Sequence, residues 1–547
     1  MSARKLPSRP SLEQYKKQAK DLLLQFKNLA QQPKPLDYGL VALYREFVPR
    51  LRSLTDSEIL RSRVLLTDAQ FILAQQYGFA SWPKFAKHIE SASRDRSADP
   101  VEAFLEAACV PVNGWHGFGT LDTAEAIISE HPLVATNSIY ATAALGDEAG
   151  VRSFLALDTG NATSKGGPHG WDALTYLCFS KYLRLDRAHL EKFVRAAQAL
   201  LDAGATANTG WFDNTGQPKP HWESAIYGAA GIARHPELTQ LLLERGADPN
   251  DEETPYHVPE TYNNRVMEIL VESGKLTEES MTTLLLRKTD WHDAKGIEYL
   301  LQHGADPSRM TRWQNSALHH ALRRDNGIGI IDLLLDHGAD PELVSRRDGR
   351  SAYAIAARRG RADVLASFER RGMLLQLDGV DRLIAACAKS DLDEIRSLAE
   401  HEPELVGQLR AQGGALLAEF AANDNAAGVR QLLDLGIDVA ERYKEGDPYY
   451  EIAKDSTALH FAAWRMRHAT VALLIERGAP VDAHDGRGRT PLALAVRACV
   501  DSYWRDMRSP ESVRMLLEAG ASTHGIDFPS GYAEADELLL RYREQAG

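Results

Sequence analysis

A leucine-rich helix end that runs into Gly-Ala recurs along this chain and limits the folds open to it. The glycines of the motif stand at positions 204, 246, 274, 304, 338, 372, 436, 478 and 520. Their intervals are 42, 28, 30, 34, 34, 64, 42 and 42 residues, and we interpret the interval of 64 as two units. A self-similar period of about 33 residues is typical of stacked helical repeats, in which neighbouring units bury each other's apolar faces. The sequence therefore predicts a solenoid.

The residues of one unit explain how it folds. In the stretch 331–340, leucines form one apolar stripe of a short helix, and Gly338 can adopt the left-handed conformation that ends it. The facing helix needs small residues so that neighbouring helices approach closely. Alanines meet that need at Ala321, Ala356, Ala357, Ala462 and Ala463.

A second motif begins the units. Its clearest copies are Ser316-Ala317-Leu318-His319, Thr457-Ala458-Leu459-His460-Phe461-Ala462-Ala463 and Thr490-Pro491-Leu492-Ala493-Leu494-Ala495. They resemble the Thr-Pro-Leu-His-x-Ala-Ala start of ankyrin repeats. The resemblance implies an all-α ankyrin-repeat solenoid of about twelve helix-turn-helix units over residues 101–523. It also implies that His319 and His460 hydrogen-bond within the turn, and that the chain associates with proteins without performing chemistry.

The two ends are predicted to cap this solenoid. Residues 1–93 carry 15 Lys and Arg against 8 Asp and Glu, and they look like the helical leader found before the repeats in many bacterial ankyrin proteins. Within them, Ser11 to Leu29 has the apolar spacing of an amphipathic packing helix. Ser91 to Pro100 is polar and is predicted to be a joint. Residues 524–547 are predicted to form a C-terminal capping helix.

Composition excludes several classes of protein. The sequence contains no apolar run long enough to span a bilayer, and residues 1–11 lack the apolar core of a secretory signal. Four scattered cysteines lie in Ala- or Leu-rich segments, which predicts buried thiols in a reducing cytoplasm. Residues 94–547 carry a net charge of −20, since the whole chain carries −13 and the leader +7. Such an acidic solenoid is a poor binder of nucleic acid.

Enlarged loops interrupt the repeats at 111–120, 160–170, 208–221, 440–455 and 500–510. Insertions in repeat proteins collect on one face, which usually binds. These loops and turns hold most of the tryptophans, and we expect Trp171, Trp222 and Trp313 to line a concave groove. The candidate aromatic binding residues are Trp171, Trp211, Trp222, Tyr227, Trp291 and Trp313. The alternative is that the loops fold back and cover apolar surface of their own solenoid.

Polar candidates accompany these aromatic residues. His169, His221, His320 and Asp172 have no role in the repeat motif and are candidate ligand-binding residues. No His-x-His, His-Glu-x-x-His or Cys-x-x-Cys spacing occurs, so the sequence predicts no metal site. Gly-x-Ser-x-Gly, phosphate-loop and dinucleotide signatures are absent as well, so no cofactor is predicted.

Two functions remain open. The first is a cytoplasmic scaffold that binds a protein partner with a basic patch through an acidic, aromatic-lined concave surface. The second is an enzyme or a small-molecule binder with a pocket built from the insertions around residues 169–320. Its candidate acid and base groups are His169, Asp172, His221, Glu223, Tyr227, His292, Asp293 and His320. The irregular glycine intervals between 204 and 304 keep this alternative open, although the scaffold is favoured.

Overall fold

The computed structural model describes residues 12–30, 39–52, 54, 56–62, 64–96, 99–112, 116–117, 119–186, 188, 190–213, 220–374, 377–500, 502 and 508–546. Several parts of the predicted loops lie outside the described residues, namely Trp115, residues 214–219, Tyr503 and Trp504. The chain divides into two compact units, Met1–Ala247 (unit 1) and Asp248–Gly547 (unit 2).

Unit 1 contains fourteen α-helices in its described residues. They are α1 Leu12–Ala30, α2 Gly39–Phe47, α3 Asp56–Arg61, α4 Leu66–Gln76, α5 Trp82–Arg96, α6 Pro100–Ala108, α7 Asp122–Glu130, α8 Ile139–Ala144, α9 Glu148–Leu157, α10 Ala173–Cys178, α11 Lys181–Leu185, α12 Leu190–Asp202, α13 Ala225–Tyr227 and α14 Pro236–Glu244. Two strands, β1 Gly210–Asp213 and β2 His221–Ser224, form an antiparallel hairpin between α12 and α13.

The N-terminal helices bury aromatic side chains against one another. Phe26 of α1 packs on Tyr44 of α2 with ring centroids 4.5 Å apart, and Tyr15 meets Phe85 of α5 edge to face at 4.8 Å. Gly78 ends the turn after α4 with φ of +81°. Helix α5 continues to Arg96, so most of the segment predicted as a joint is helical.

Unit 2 contains eighteen α-helices in its described residues. They are α15 Thr254–His257, α16 Arg265–Glu272, α17 Glu278–Asp290, α18 Ala294–Gln302, α19 Ala317–Arg323, α20 Ile328–Asp336, α21 Ala352–Arg358, α22 Ala362–Arg370, α23 Val380–Lys389, α24 Leu392–His401, α25 Pro403–Arg410, α26 Gly413–Ala422, α27 Ala426–Asp434, α28 Ala458–Trp464, α29 His468–Glu476, α30 Pro491–Val500, α31 Glu511–Glu518 and α32 Ala533–Ala546. A short antiparallel pair, β3 Arg442–Tyr443 and β4 Ser456–Thr457, closes the insertion before α28.

Helices of unit 2 stack in two layers. The inner layer follows α15, α17, α19 and α21, and later α26, α28 and α30, each packed on the next. The outer layer contains α18, α20 and α22, and later α27, α29 and α31. The alanines predicted to permit close approach, including Ala321, Ala356 and Ala462, are fully buried in the inner layer. The all-α repeat fold is confirmed, with two small hairpins as its only strands in the described residues.

The glycine prediction is confirmed in detail. All nine motif glycines have positive φ, from +65° at Gly274 to +102° at Gly204. After Gly338, the amide of Ala339 donates to the carbonyl of Leu334 at 3.0 Å, which satisfies a helix-end carbonyl. The interval of 64 residues holds two helix pairs, α23 with α24 and α26 with α27, and the extra helix α25 lies between them.

The two motif histidines have the structural role that the resemblance implies. His319 contacts the Ser316 hydroxyl at 2.7 Å through Nδ1 and the Leu343 carbonyl at 2.8 Å through Nε2. His460 contacts Thr457 at 2.9 Å and the Arg489 carbonyl at 3.0 Å in the same way. Burial lowers the pKa of His460 to about 4, so the ring is neutral at pH 7 and ties two consecutive repeats together.

The predicted burial of the cysteines is confirmed. Cys109, Cys178, Cys387 and Cys499 are free and buried. Burial raises the pKa of Cys387 to about 12 and that of Cys499 to about 11, so both thiols stay protonated and unreactive near neutral pH. Within the described ranges, no helix combines the length and the apolar character needed to cross a membrane.

Candidate functional site

The β1–β2 hairpin of unit 1 divides its side chains between two faces. Cross-strand pairs join Trp211 to Glu223, Phe212 to Trp222 and Asp213 to His221. Because side chains alternate along a strand, Trp211, Asp213, His221 and Glu223 share one face. Phe212 and Trp222 share the other face, where their rings lie 4.7 Å apart.

Trp171 and Trp211 lie inside an aromatic cluster and not on a groove surface. Their rings stack with centroids 5.1 Å apart, and His169 also stacks on Trp171, at 4.3 Å. Only 4% of Trp171 and 8% of Trp211 is exposed. The expectation that Trp171 lines an open groove is therefore corrected, because its own neighbours cover the indole.

Three further side chains complete this cluster. Phe179 meets Trp211 edge to face at 5.8 Å, and Tyr227 lies 6.2 Å from Phe179. His116 lies 5.6 Å from Trp211 between ring centroids, and its Nδ1 is 3.3 Å from the Tyr227 hydroxyl. The Trp211 indole N–H has no hydrogen-bond partner among the described residues. The structure thus brings together His169, Trp171, Trp211 and Tyr227 of the predicted set.

Asp172 has a structural role next to this cluster. Its carboxylate accepts hydrogen bonds from the backbone amide of Thr175 at 2.9 Å and from the Thr175 hydroxyl at 3.0 Å. The Thr209 hydroxyl donates to its other oxygen. Asp172 caps α10 and ties it to the segment before β1, so its oxygens are already used by the fold.

Trp222 and His221 are more exposed than the cluster. Trp222 is half-buried against Phe212, and His221 is exposed at the end of β2. The remaining predicted residues, Trp291, Trp313 and His320, belong to unit 2.

Two pairs of aromatic side chains in unit 2, Tyr256 with Trp313 and Tyr262 with Trp291, are together called the aromatic strip. Tyr256 contacts Trp313 with centroids 5.6 Å apart, and Tyr262 meets Trp291 edge to face at the same distance. Trp291 and Trp313 are half-buried, whereas 68% of Tyr262 is exposed. The strip therefore offers aromatic surface to solvent.

Arginine side chains stack on two rings of the strip, those of Tyr256 and Trp313. The guanidinium of Arg287 stacks 4.0 Å from the Tyr256 ring and donates to the Glu260 carboxylate at 2.7 Å. Arg312 stacks 4.6 Å from the Trp313 ring and pairs with Glu252 at 2.7 Å. Each stacked guanidinium is thus held by a carboxylate, which limits the motion of the ring beneath it.

His320 belongs to a buried charge network behind the strip. Its Nε2 lies 2.9 Å from Asp290, which also accepts from Arg324 at 2.6 Å and pairs with Arg287. Burial favours the protonated form of Asp290, but its hydrogen bond with His320 and the charges of Arg287 and Arg324 outweigh burial and hold its pKa well below the usual range. The pKa of His320 is lowered too, and in this case burial is the main cause, because it disfavours the charged imidazolium. We interpret this network as structural, because its members satisfy one another.

The insertion at residues 440–455 folds back over the inner helices. Tyr449 donates from its hydroxyl to the Asp290 carbonyl at 2.6 Å, and Arg324 stacks 3.7 Å from its ring. Tyr450 is buried, and its carbonyl accepts from the Trp464 indole at 2.7 Å. This insertion follows the alternative in which aromatic loops cover their own solenoid.

A cavity of about 820 Å³ lies beside that insertion. Its lining contains more cationic than anionic side chains, unlike the acidic groove that the sequence predicts. Its charged lining consists of Arg323, Arg350, Arg358, Arg359, Arg442, Lys444, Glu419, Glu441 and Glu445. Most of these cations are already paired: Arg359 with Asp325, Arg358 with Asp381, and both Arg323 and Arg350 with Asp348. The cavity therefore carries little unbalanced charge.

His257, next to Tyr256 in the chain, lies between two glutamates. We predict that it makes the free energy of unfolding of unit 2 depend on pH. Its ring nitrogens are 3.1 Å from Glu253 and 3.2 Å from Glu260. Burial opposes the charge of the imidazolium, but hydrogen bonds to both glutamates outweigh burial and raise the pKa of His257 to about 9. The raised pKa stabilises the fold fully below pH 6.5, and this stabilisation is lost as the pH rises through about 9.

The measurement is urea unfolding of the wild type and of His257→Gln at about pH 6 and about pH 10. We expect the wild type to lose about 3 kcal/mol relative to the variant on going from the lower to the higher pH. His303→Gln is the control, since this exposed histidine is bonded to the Tyr299 carbonyl. Parallel pH profiles for the wild type and His257→Gln would contradict the prediction.

Two segments of the chain match a known repeat family. A family model for the ankyrin repeat matches residues 313–346 and 454–486. Over 84 residues the chain is 38% identical to serine/threonine-protein kinase 12 of Arabidopsis thaliana, an alignment that covers 15% of this chain and 16% of the kinase. The chain therefore spans only a small part of that relative. The crystal structure of the human ASB11 ankyrin repeat domain matches with 18% identity, 47% of this chain, 96% of that domain and a TM-score of 0.22.

Paired inner and outer helices, left-handed glycines between repeats and buried turn histidines define an all-α repeat protein. Both segments matched by the family model contain one of these turn histidines, His319 and His460. The chain therefore contains ankyrin repeats.

Sequence patterns did not indicate that three polar residues of unit 1 lie close together. His116, Asp213 and Glu223 lie close together in space, although about 100 residues separate the first from the other two. The alternation of side chains in 210–213 and 221–224 is the signal that indicates the hairpin and places Asp213 and Glu223 on one face. No local pattern relates His116 to them.

Proposed function

We propose that this ankyrin-repeat protein is a cytoplasmic scaffold that binds a protein partner through the aromatic strip and the acidic surface of unit 2. The observation that carries the proposal is a solvent-accessible set of four aromatic rings in a strongly acidic unit. Residues 248–547 contain 36 Lys and Arg against 50 Asp and Glu, a net charge of −14. Ankyrin repeats typically bind other proteins, which supports the same role.

The strip has the properties of a binding hot spot. Tryptophan and tyrosine supply large contact area at a low entropic cost, and they are enriched among residues that dominate binding energy. Arg287 and Arg312 hold Tyr256 and Trp313 in place before a partner arrives. Such preorganisation reduces the entropy lost on association.

The acidic surface selects the charge of the partner. Exposed carboxylates such as Glu252 and Glu278 pair with Arg312 and Arg309, so the negative field comes from the net charge of −14 of unit 2 as a whole. Such a field steers a partner with a basic patch toward unit 2 and disfavours acidic partners. We therefore expect association to weaken as the salt concentration rises.

The polar candidates favour binding over acid–base chemistry. Asp172 caps α10, and Asp293 caps α18 while pairing with the buried Lys288 at 2.8 Å. His320 is held by Asp290. A catalytic acid or base needs to reach a substrate, whereas these groups are used by the fold.

The test is affinity capture from nuclease-treated cytoplasm of the source organism, with the full-length wild type, Trp313→Ala and Trp222→Ala as baits. Trp222→Ala is the matched control, because it removes a half-buried tryptophan from unit 1. We expect a partner with a basic patch that Trp313→Ala binds about 30-fold more weakly, since truncating a hot-spot residue costs about 2 kcal/mol. Equal capture by all three baits would contradict the proposal, and so would a partner that is captured only when the nuclease is omitted.

A further inference from the structure

Three side chains with metal-binding chemistry meet in unit 1. One ligand atom from each of His116, Asp213 and Glu223 lies within 4.8 Å of those of the other two. Nδ1 of His116 is 3.7 Å from Oε2 of Glu223. Two donors that are each about 2.0–2.2 Å from one ion lie at most about 4.4 Å apart, so the 3.7 Å separation fits a coordination shell and any wider separation must close on binding.

The hairpin accounts for the proximity of the two carboxylates. Asp213 ends β1 opposite His221, and Glu223 lies two residues further along β2 on the same face. Diagonal neighbours of this kind are within reach of each other in an antiparallel pair. Helix α13 follows β2 directly and brings Tyr227 toward the same point, with its hydroxyl 3.3 Å from His116 Nδ1.

The group is largely shielded from solvent by its neighbours. Only 7% of His116 and 3% of Glu223 is exposed. Trp211 and Phe179 pack against the His116 ring. Asp213 is half-buried beside them. Two carboxylates close together in a largely apolar setting repel each other, and a divalent cation between them offsets this repulsion.

We propose that His116, Asp213 and Glu223 bind a divalent transition-metal ion. One imidazole nitrogen with two carboxylate oxygens is a donor set that suits Zn²⁺, Mn²⁺ or Fe²⁺, whereas Mg²⁺ and Ca²⁺ prefer oxygen donors alone. The site lies in unit 1 and is independent of the proposed binding surface of unit 2. The bound ion links the 116–117 segment to the β1–β2 hairpin and stabilises both.

The experiment titrates Zn²⁺ and Mn²⁺ into the full-length, chelator-treated protein, with calorimetry for affinity and elemental analysis for stoichiometry. We expect one ion per chain. Asp213→Asn and Glu223→Gln should each weaken binding by at least about tenfold. Glu237→Gln is the matched control, because Glu237 lies 3.3 Å from the imidazole of His235 elsewhere in unit 1 but is 70% exposed. It should bind the metal as the wild type does.

A second readout separates loss of ligands from loss of fold. The near-ultraviolet circular dichroism of the metal-free variants should equal that of the metal-free wild type, because Trp171 and Trp211 report on packing of the cluster. Adding Zn²⁺ should raise the unfolding temperature of the wild type and of Glu237→Gln, but not that of Glu223→Gln. Absence of binding by the wild type would overturn the proposal, and so would equally tight binding by all four proteins.

Discussion

Replacing Asp325 by asparagine is expected to lower the free energy of unfolding of unit 2 by about 3 kcal/mol, because it removes the buried carboxylate that two buried guanidinium groups share. Asp325 is 1% exposed and receives two bonds of 2.6 Å from Arg359 and one of 2.5 Å from Arg465. Burial favours its neutral form, but the charges of both arginines outweigh burial and hold the pKa of Asp325 far below its usual range. The change is measured by urea unfolding near pH 7.

The control for this prediction is Asp424→Asn. Both aspartates stand at the turn after an inner helix with left-handed backbone, φ being +49° at Asp325 and +57° at Asp424. Asp424 is exposed and accepts a bond from the Thr470 hydroxyl at 2.8 Å. Its replacement should cost less than about 1 kcal/mol. Similar losses for the two variants would contradict the claim that the buried ionic contacts of Asp325 dominate.

Gly360→Ala is the second change with a large expected effect, a loss of about 2–4 kcal/mol in the free energy of unfolding. Gly360 has φ of +65° in the turn between α21 and α22. An added Cβ would lie 2.7 Å from Cγ and 3.0 Å from Cα of Phe420, a fully buried residue of α26. Neither atom can move without displacing the packed helix, so urea unfolding should show the loss directly.

Gly338→Ala separates the backbone cost from the packing cost. Gly338 also has positive φ, +88°, but an added Cβ would meet no heavy atom within 4 Å. This variant should lose only about 1 kcal/mol, the cost of alanine in a left-handed conformation. If both glycine variants lose the same free energy, close packing against Phe420 is not what requires glycine at position 360.

The repeat fold was predictable because each repeat is specified locally. The Gly-Ala helix end fixes a left-handed turn, and a leucine stripe fixes the buried face of the outer helix. Turn histidines such as His319 bond to backbone in the adjoining repeat. These features lie within one unit of sequence, so they can be read without knowledge of distant contacts.

Features built by irregular segments were not predictable in this way. Helix α25 occupies the interval where no motif glycine occurs, directly after the outer helix α24. The insertion at 440–455 reaches the carbonyl of Asp290 through Tyr449, a contact that spans 159 positions. Sequence periodicity carries no information about such contacts.

The same reason limits what the sequence says about the candidate sites. Trp171 and Trp313 both precede an inner helix, yet Trp171 is buried by Trp211 and His169, whereas Trp313 keeps part of its ring at the surface. The difference depends on the hairpin that covers Trp171. Motif spacing likewise predicted no metal site, because His116 meets Asp213 and Glu223 only in the folded chain.

Hydrogen exchange of unit 2 with and without its captured partner tests the proposed function most directly. The account predicts slower amide exchange on binding at residues 252–262, 287–292 and 312–314, where the aromatic strip and its acidic neighbours lie. The outer helices α16, α18 and α20 should exchange as in the free protein. Protection confined to those outer helices, with unchanged exchange along the strip, would contradict the account.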